Sequence, residues 1–189
     1  MRIMPVQPHY ECKRNASKYG HAQNFTAGTA VYAGTFDPIT NGHLDLIKQG
    51  SKLFDKVYVL IAKNPDKTPQ LPQDVRLKLI EESVKGMKNV EVDAFSGMTV
   101  DYAQCRGANY LLRGMRESTT DFIDEVHIAS YNESIAPDLK TVLLFSSAAN
   151  KSVSSSKVRD MVAKGMDIRK LVPEPVYEYF SKLGKGEIK

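Results

Sequence analysis

With 189 residues, 42% hydrophobic and 25% charged side chains, the chain has the make-up of a globular domain able to bury a substantial core, and no apolar run approaches a membrane span. Its net charge is +4, but residues 1–28 hold +3 of this (Arg2, Lys13, Arg14 and Lys18 against Glu11), leaving +1 for the rest. A folded part so near neutrality argues against a nucleic-acid binder, which needs clustered positive charge. The two cysteines, Cys12 and Cys105, form neither a CxxC pair nor a metal-ligand spacing, so reduced thiols and a cytoplasmic protein are expected.

Residues 1–28 show no hydrophobic period and lack the apolar segment of a signal peptide, so they are expected to form a flexible N-terminal extension before a single domain over 29–189. His9, Cys12 and His21 are expected to be solvated residues there, not metal ligands. Residues 30–33 then read as a short buried strand, and 44–54 as a helix with apolar residues at helical spacing. Residues 56–62 are a near-continuous apolar run that suits a buried parallel strand. A loop with two prolines and Lys67 follows, and then a helix over 73–87. The remaining expectations are strands over 90–95, 110–112 and 141–145, with helices over 99–106, 120–132, 155–164 and 175–183.

Strands alternate with helices throughout, which predicts an α/β fold: an open, parallel, five-stranded Rossmann-like sheet with helices on both faces. Ligands of such sheets bind outside the carboxyl ends of the strands. The polar residues with binding chemistry fall there: Thr35 after the first strand, Lys67 after the second, Arg113 and Arg116 after the fourth, and Ser154, Ser155 and Ser156 after the fifth.

The first of these places carries the strongest signal. Gly34-Thr35-Phe36-Asp37-Pro38-Ile39-Thr40-Asn41-Gly42-His43 lies between strand and helix. A helix start offers unpaired N–H groups and the positive end of the helix dipole, a natural seat for phosphate. Thr40 or Asn41 serves as N-cap, Gly34 and Gly42 permit close backbone approach, and His43 supplies a ring donor in the first turn. Two further anion-binding groupings are Arg113-Gly114-Met115-Arg116, with two guanidinium forks, and Ser154-Ser155-Ser156-Lys157-Val158-Arg159, with hydroxyls at a helix start. Taken alone, each has an ordinary reading as a turn, a surface arginine pair or a helix cap.

Together these motifs resemble the nucleotidyltransferase superfamily with its T/HxGH signature, and the form GTFDPxTNGH resembles the bacterial phosphopantetheine adenylyltransferase family in particular. The resemblance runs from residue 30 to about 185. It implies adenylyl transfer from ATP to 4′-phosphopantetheine, releasing pyrophosphate and dephospho-coenzyme A, with Mg2+ bridging the ATP phosphates. His43 and Thr35 would act at the α-phosphate. Lys67 and Arg113 would meet the acceptor phosphate, with Thr35 and Thr99 also on the acceptor side. Phe36, Gly114, Met115, Arg116, Glu125 and Ser154 to Ser156 would hold ATP. The family also implies a homohexamer and feedback inhibition by coenzyme A. The chain departs from the family pattern at Ala33, where proline is usual, and at Asp121-Phe122-Ile123-Asp124-Glu125, which replaces DFxYE. The rival readings are a related transferase with another phosphorylated acceptor, such as nicotinamide mononucleotide or glycerol phosphate with CTP, a nucleotide-binding regulator without catalysis, and a nucleic-acid binder.

Overall fold

A computed structural model describes residues 28–62, 68–115 and 119–186. The N-terminal extension, apart from Gly28, together with Lys67 and Arg116, lies outside these residues. The described chain runs β1 (Thr29–Gly34), α1 (Asn41–Leu53), β2 (Lys56–Ala62), α2 (Gln73–Ser83), β3 (Val90–Phe95), α3 (Thr99–Cys105), β4 (Tyr110–Met115), α4 (Thr119–Ile135), β5 (Lys140–Phe145), α5 (Ser155–Ala163) and α6 (Glu174–Gly184). The strands form one wholly parallel sheet in the order β3-β2-β1-β4-β5. This is the expected α/β architecture.

Parallel strands need crossovers, and the crossover helices cover both faces. The period of two along the strands divides the core accordingly. Ala30 and Tyr32 of β1, Val57, Val59 and Ile61 of β2 and Leu112 of β4 face one layer, with Leu46 and Ile47 of α1, Ile80 of α2, Val158 of α5 and Val176 of α6. Val31, Leu60 and Leu111 face the other, with Val100, Tyr102 and Ala103 of α3 and the Ala136–Leu139 turn.

Several elements differ in extent from the sequence expectation. Helix α1 begins at Asn41, three residues early, because the capping residue Thr40 already starts it. Helix α2 ends at Ser83, before the 84–86 turn, and α4 continues to Ile135, just short of Pro137. The difference that matters is in β4. Arg113, Gly114 and Met115 belong to the strand, in register with Leu143, Leu144 and Phe145 of β5, and are not a loop after it. The neighbouring strand extends the ladder beyond the apolar triplet that marked the strand in sequence. Cys105 is exposed on α3, and no described cysteine is a free thiol, so the reduced-thiol expectation fails there.

Sheet order reverses between β1 and β4: the chain first steps outward from β1 through β2 to β3, then returns to the far side of β1. A crevice opens at the carboxyl ends of strands at such a reversal. Gly34 at the end of β1 and Met115 at the end of β4 border it.

Candidate active site

A cavity of about 1100 Å³ fills this crevice. Thr35, Phe36 and His43 line it from the β1 side, and Arg113, Gly114 and Glu125 from the β4 side. Thr99, Ser155 and Ser156 complete the set of sequence-derived residues on its wall. Two smaller spaces adjoin. One, of about 240 Å³, shares His43, Gly114, Ser155 and Ser156 and adds Met115 and Ser154. The other, of about 510 Å³, shares Thr99 and Arg113 and is otherwise mainly apolar, lined by Val31, Met98, Val100 and Leu111. Every described candidate residue therefore lies on one continuous trough, polar at one end and apolar at the other.

The β1–α1 loop is rigid by construction. Thr40 caps α1: its Oγ1 accepts from the His43 N–H, and its own N–H donates to His43 Nδ1 at 3.2 Å. This is a capping box with histidine where glutamate or glutamine usually stands. Because Nδ1 accepts from a backbone N–H, the ring proton sits on Nε2, so the imidazole presents a donor at its outer nitrogen. The ring packs edge-on against Phe36 (centroids 5.1 Å apart), which in turn meets Tyr32 at 5.5 Å. Phe36 takes the left-handed conformation, φ +47°, which costs energy for a bulky residue and has to be imposed by its surroundings. Gly34 makes room for that ring: a Cβ there would lie 3.0–3.2 Å from three Phe36 atoms.

Asp37 locks the loop from beneath. Its carboxylate is buried and accepts from the Gln70 and Leu71 N–H groups at 2.8 and 2.9 Å. Arg159 of α5 lies 3.4 Å from it and also donates to the Asp37 carbonyl. Arg76 of α2, itself buried, donates to the Thr35 carbonyl at 2.6 Å and to the Leu71 carbonyl at 3.0 Å. Burial pulls the Arg76 guanidinium below its ordinary pKa, and the Asp37 charge partly offsets that. Of these three, Arg159 belongs to the Ser154–Arg159 grouping read from the sequence, while Asp37 and Arg76 have no role assigned there. Arg76 had a readable signal, since it falls on the same stripe as Leu79 and Ile80, where a charge must find partners.

The three serines divide their tasks. Ser154 caps α5 by accepting from the Lys157 N–H, Ser155 donates to the Pro38 carbonyl at 2.8 Å, and Ser156 accepts from Arg159. The run that exceeded capping needs thus also staples α5 to the β1–α1 loop, setting two helix N-termini beside one cavity. Asn41, the other possible cap in sequence, instead holds the Lys170 and Leu171 carbonyls.

Across the cavity, Arg113 donates through Nε and Nη2 to the two oxygens of Glu125, both at 2.7 Å. Burial lowers the guanidinium pKa, but the Glu125 hydrogen bonds and charge more than offset this and the net shift is upward. The Tyr32 phenol beneath them is fully buried, and burial drives its pKa well above the ordinary tyrosine value. Gly114 brings this wall close to α1; a Cβ there would fall 2.3 Å from Leu46 Cδ1. Among the described residues no group of three His, Cys, Asp or Glu is arranged to hold a metal ion.

Residues 31–161 match a family model described as cytidylyltransferase-like. A phosphopantetheine adenylyltransferase of Synechococcus sp. (strain JA-3-3Ab) is 48% identical over 78% of this chain and 92% of its own length. One from Alkaliphilus metalliredigens is 39% identical over 80% of this chain and 96% of its own. This chain belongs to the phosphopantetheine adenylyltransferase family, within the nucleotidyltransferases. The fold agrees: a solved structure described as a nicotinate-nucleotide adenylyltransferase, from Vibrio parahaemolyticus, superposes with a TM-score of 0.60 at 20% identity, covering 84% of this chain and 93% of that one. Among the described residues no helix is long and apolar enough to cross a membrane.

Proposed function

We propose that this chain transfers the adenylyl group of ATP to 4′-phosphopantetheine. A phosphate oxygen of the acceptor attacks the α-phosphorus in line, one P–O bond forms, the bond to the β-phosphate oxygen breaks, and pyrophosphate leaves dephospho-coenzyme A. The observation that carries this reading is the convergence of two helix N-termini, α1 with His43 and α5 with Ser155 and Ser156, and of Arg113 on one cavity. The attacking phosphate is already an anion, so the site needs no covalent nucleophile. It has to hold three phosphate-bearing groups in line and stabilise charge.

His43 Nε2–H and Thr35 serve the α-phosphate, where charge builds up. Ser154, Ser155, Ser156 and the α5 N-terminus take the leaving pyrophosphate. Phe36, Gly114, Met115 and Arg116 border the nucleotide, and Glu125 is the acidic group on that wall. Arg113 and Lys67 receive the acceptor phosphate, and the apolar pocket beside Thr99 suits the uncharged arm of pantetheine. The donors around the cavity, which are hydroxyls, an imidazole and guanidiniums, suit anions, so Mg2+ belongs with the nucleotide and supplies charge neutralisation on its phosphates. We place the enzyme in the cytoplasm as a homohexamer, with coenzyme A as a product-like inhibitor of the same trough.

Pyrophosphate release measured with ATP and a panel of acceptors tests the reading: 4′-phosphopantetheine, nicotinamide mononucleotide, and glycerol phosphate with CTP. Turnover with 4′-phosphopantetheine should exceed the others by orders of magnitude. Turnover confined to another acceptor would retain the family chemistry and overturn the substrate.

A further inference from the structure

Arg113 and Glu125 are twelve residues apart, on β4 and α4, and meet in a fork-to-fork pair. The Arg113 side chain is 28% exposed and that of Glu125 only 15%. The pair uses the Nε edge of the guanidinium. Among the described residues no other group takes the second Nη2 proton or the two Nη1 protons, which face anything seated in the cavity that Arg113 lines. A long arginine would otherwise sample many rotamers, and ordering it on binding would weaken the grip on an anion. The bidentate pair fixes the guanidinium plane before any ligand arrives. Arg113 also lines the apolar pocket, so its orientation bears on the acceptor side of the trough.

We infer that Glu125 is a positioning residue for the acceptor phosphate: it grips Arg113 by its Nε edge, so that the Nη1 edge meets the attacking group in the in-line geometry. This rests on the function proposed above and extends it. Glu125 then governs the acceptor, although it lies on the wall assigned to the nucleotide.

The test is Glu125→Gln in the full-length chain, with ATP and 4′-phosphopantetheine varied separately. The glutamine amide turns an N–H donor toward one guanidinium N–H, so the fork is lost at nearly constant shape. The KM for 4′-phosphopantetheine should rise about tenfold or more, the cost of a lost charge-assisted contact, and by a larger factor than the KM for ATP, whose wall Glu125 also borders. In an Arg113→Lys background, which has no fork to hold, the same substitution should add less than about threefold. A rise confined to ATP overturns the inference and leaves Glu125 to the nucleotide. Equal effects in both backgrounds overturn it as well. If Glu125→Gln fails to fold, Glu125→Asp withdraws the carboxylate by one methylene and is held to the same criteria. Wild-type protein that releases no pyrophosphate with this acceptor overturns the proposed function and the inference with it, which separates the two failures.

Discussion

In the loop after β1, Asp37, Thr40, Ile39 and Phe36 are all less than 5% exposed, and bonds from α1, α2, α5 and the 70–71 segment converge on it. Across the cavity, α4 has a different character. Phe122, Ile123, Val126, Tyr131 and Ile135 are between 40 and 58% exposed, and the described polar ties from α4 to its sheet are Glu125 to Arg113 and, at its exposed far end, Glu133 to Lys140. The first wall is preorganised by the chain itself, as stabilising a transition-state charge requires. The second presents an apolar surface of the kind that marks an interaction site. The site is thus half finished by folding, and a cover over α4 is what the proposed assembly would have to supply.

The comparison is broken most severely by Asp37→Ala. The substitution leaves two N–H groups without their acceptor and Arg159 without its carboxylate. Removing one member of a buried pair costs about 3–5 kcal/mol. Urea unfolding should show a lower midpoint with an unchanged slope. A loss below about 1 kcal/mol would mean that the loop is held by its cap and ring packing alone.

His43→Ala comes next, and it separates catalysis from scaffold on the same wall. Losing one donor at the developing charge typically costs about 10² to 10³ in kcat. The capping box loses only one of its two bonds, so stability should fall by about 1 kcal/mol. Pyrophosphate release and thermal unfolding on the same sample check both. Near-normal turnover would remove His43 from the α-phosphate.

The two walls also differ in how much of them the sequence reveals. On the β1 side a contiguous motif carried the information, because a strand, a tight loop and a helix start fix one another's geometry within some ten residues. The place of His43, Thr35 and Phe36 on the cavity wall was legible for that reason, as were the open parallel sheet and the serines at the start of α5. Asp37 was not, since a buried clamp and a turn-forming aspartate look alike until Gln70 and Leu71 come back in space. Nor was the Arg113–Glu125 pair, because twelve residues from strand to helix follow no local period. Arg113 and Gly114 looked like loop residues because pairing with Leu143 and Leu144 of β5, 30 residues further on, is invisible in a local window.

The smallest expected change in the isolated fold, and the sharpest test of the comparison, is on α4. Phe122 and Val126 are four residues apart, so they share a face, and they are 50 and 40% exposed. Neither lines the cavity. Replacing both with glutamine puts a good helix former at each position and removes little that packs within the chain, so monomer stability should stay within about 0.5 kcal/mol. If α4 is the covered face of the hexamer, both residues lie in an interface, where losing an aromatic anchor alone costs about 2 kcal/mol or more. Sedimentation should then show a large species for wild type and smaller species for the variant at equal concentration. With the cover gone, the α4 wall loses support while the β1–α1 loop does not. Turnover should fall through a higher KM, with His43-dependent chemistry retained at saturation. Unchanged sedimentation would place the assembly surface elsewhere and leave the exposure of α4 to another partner.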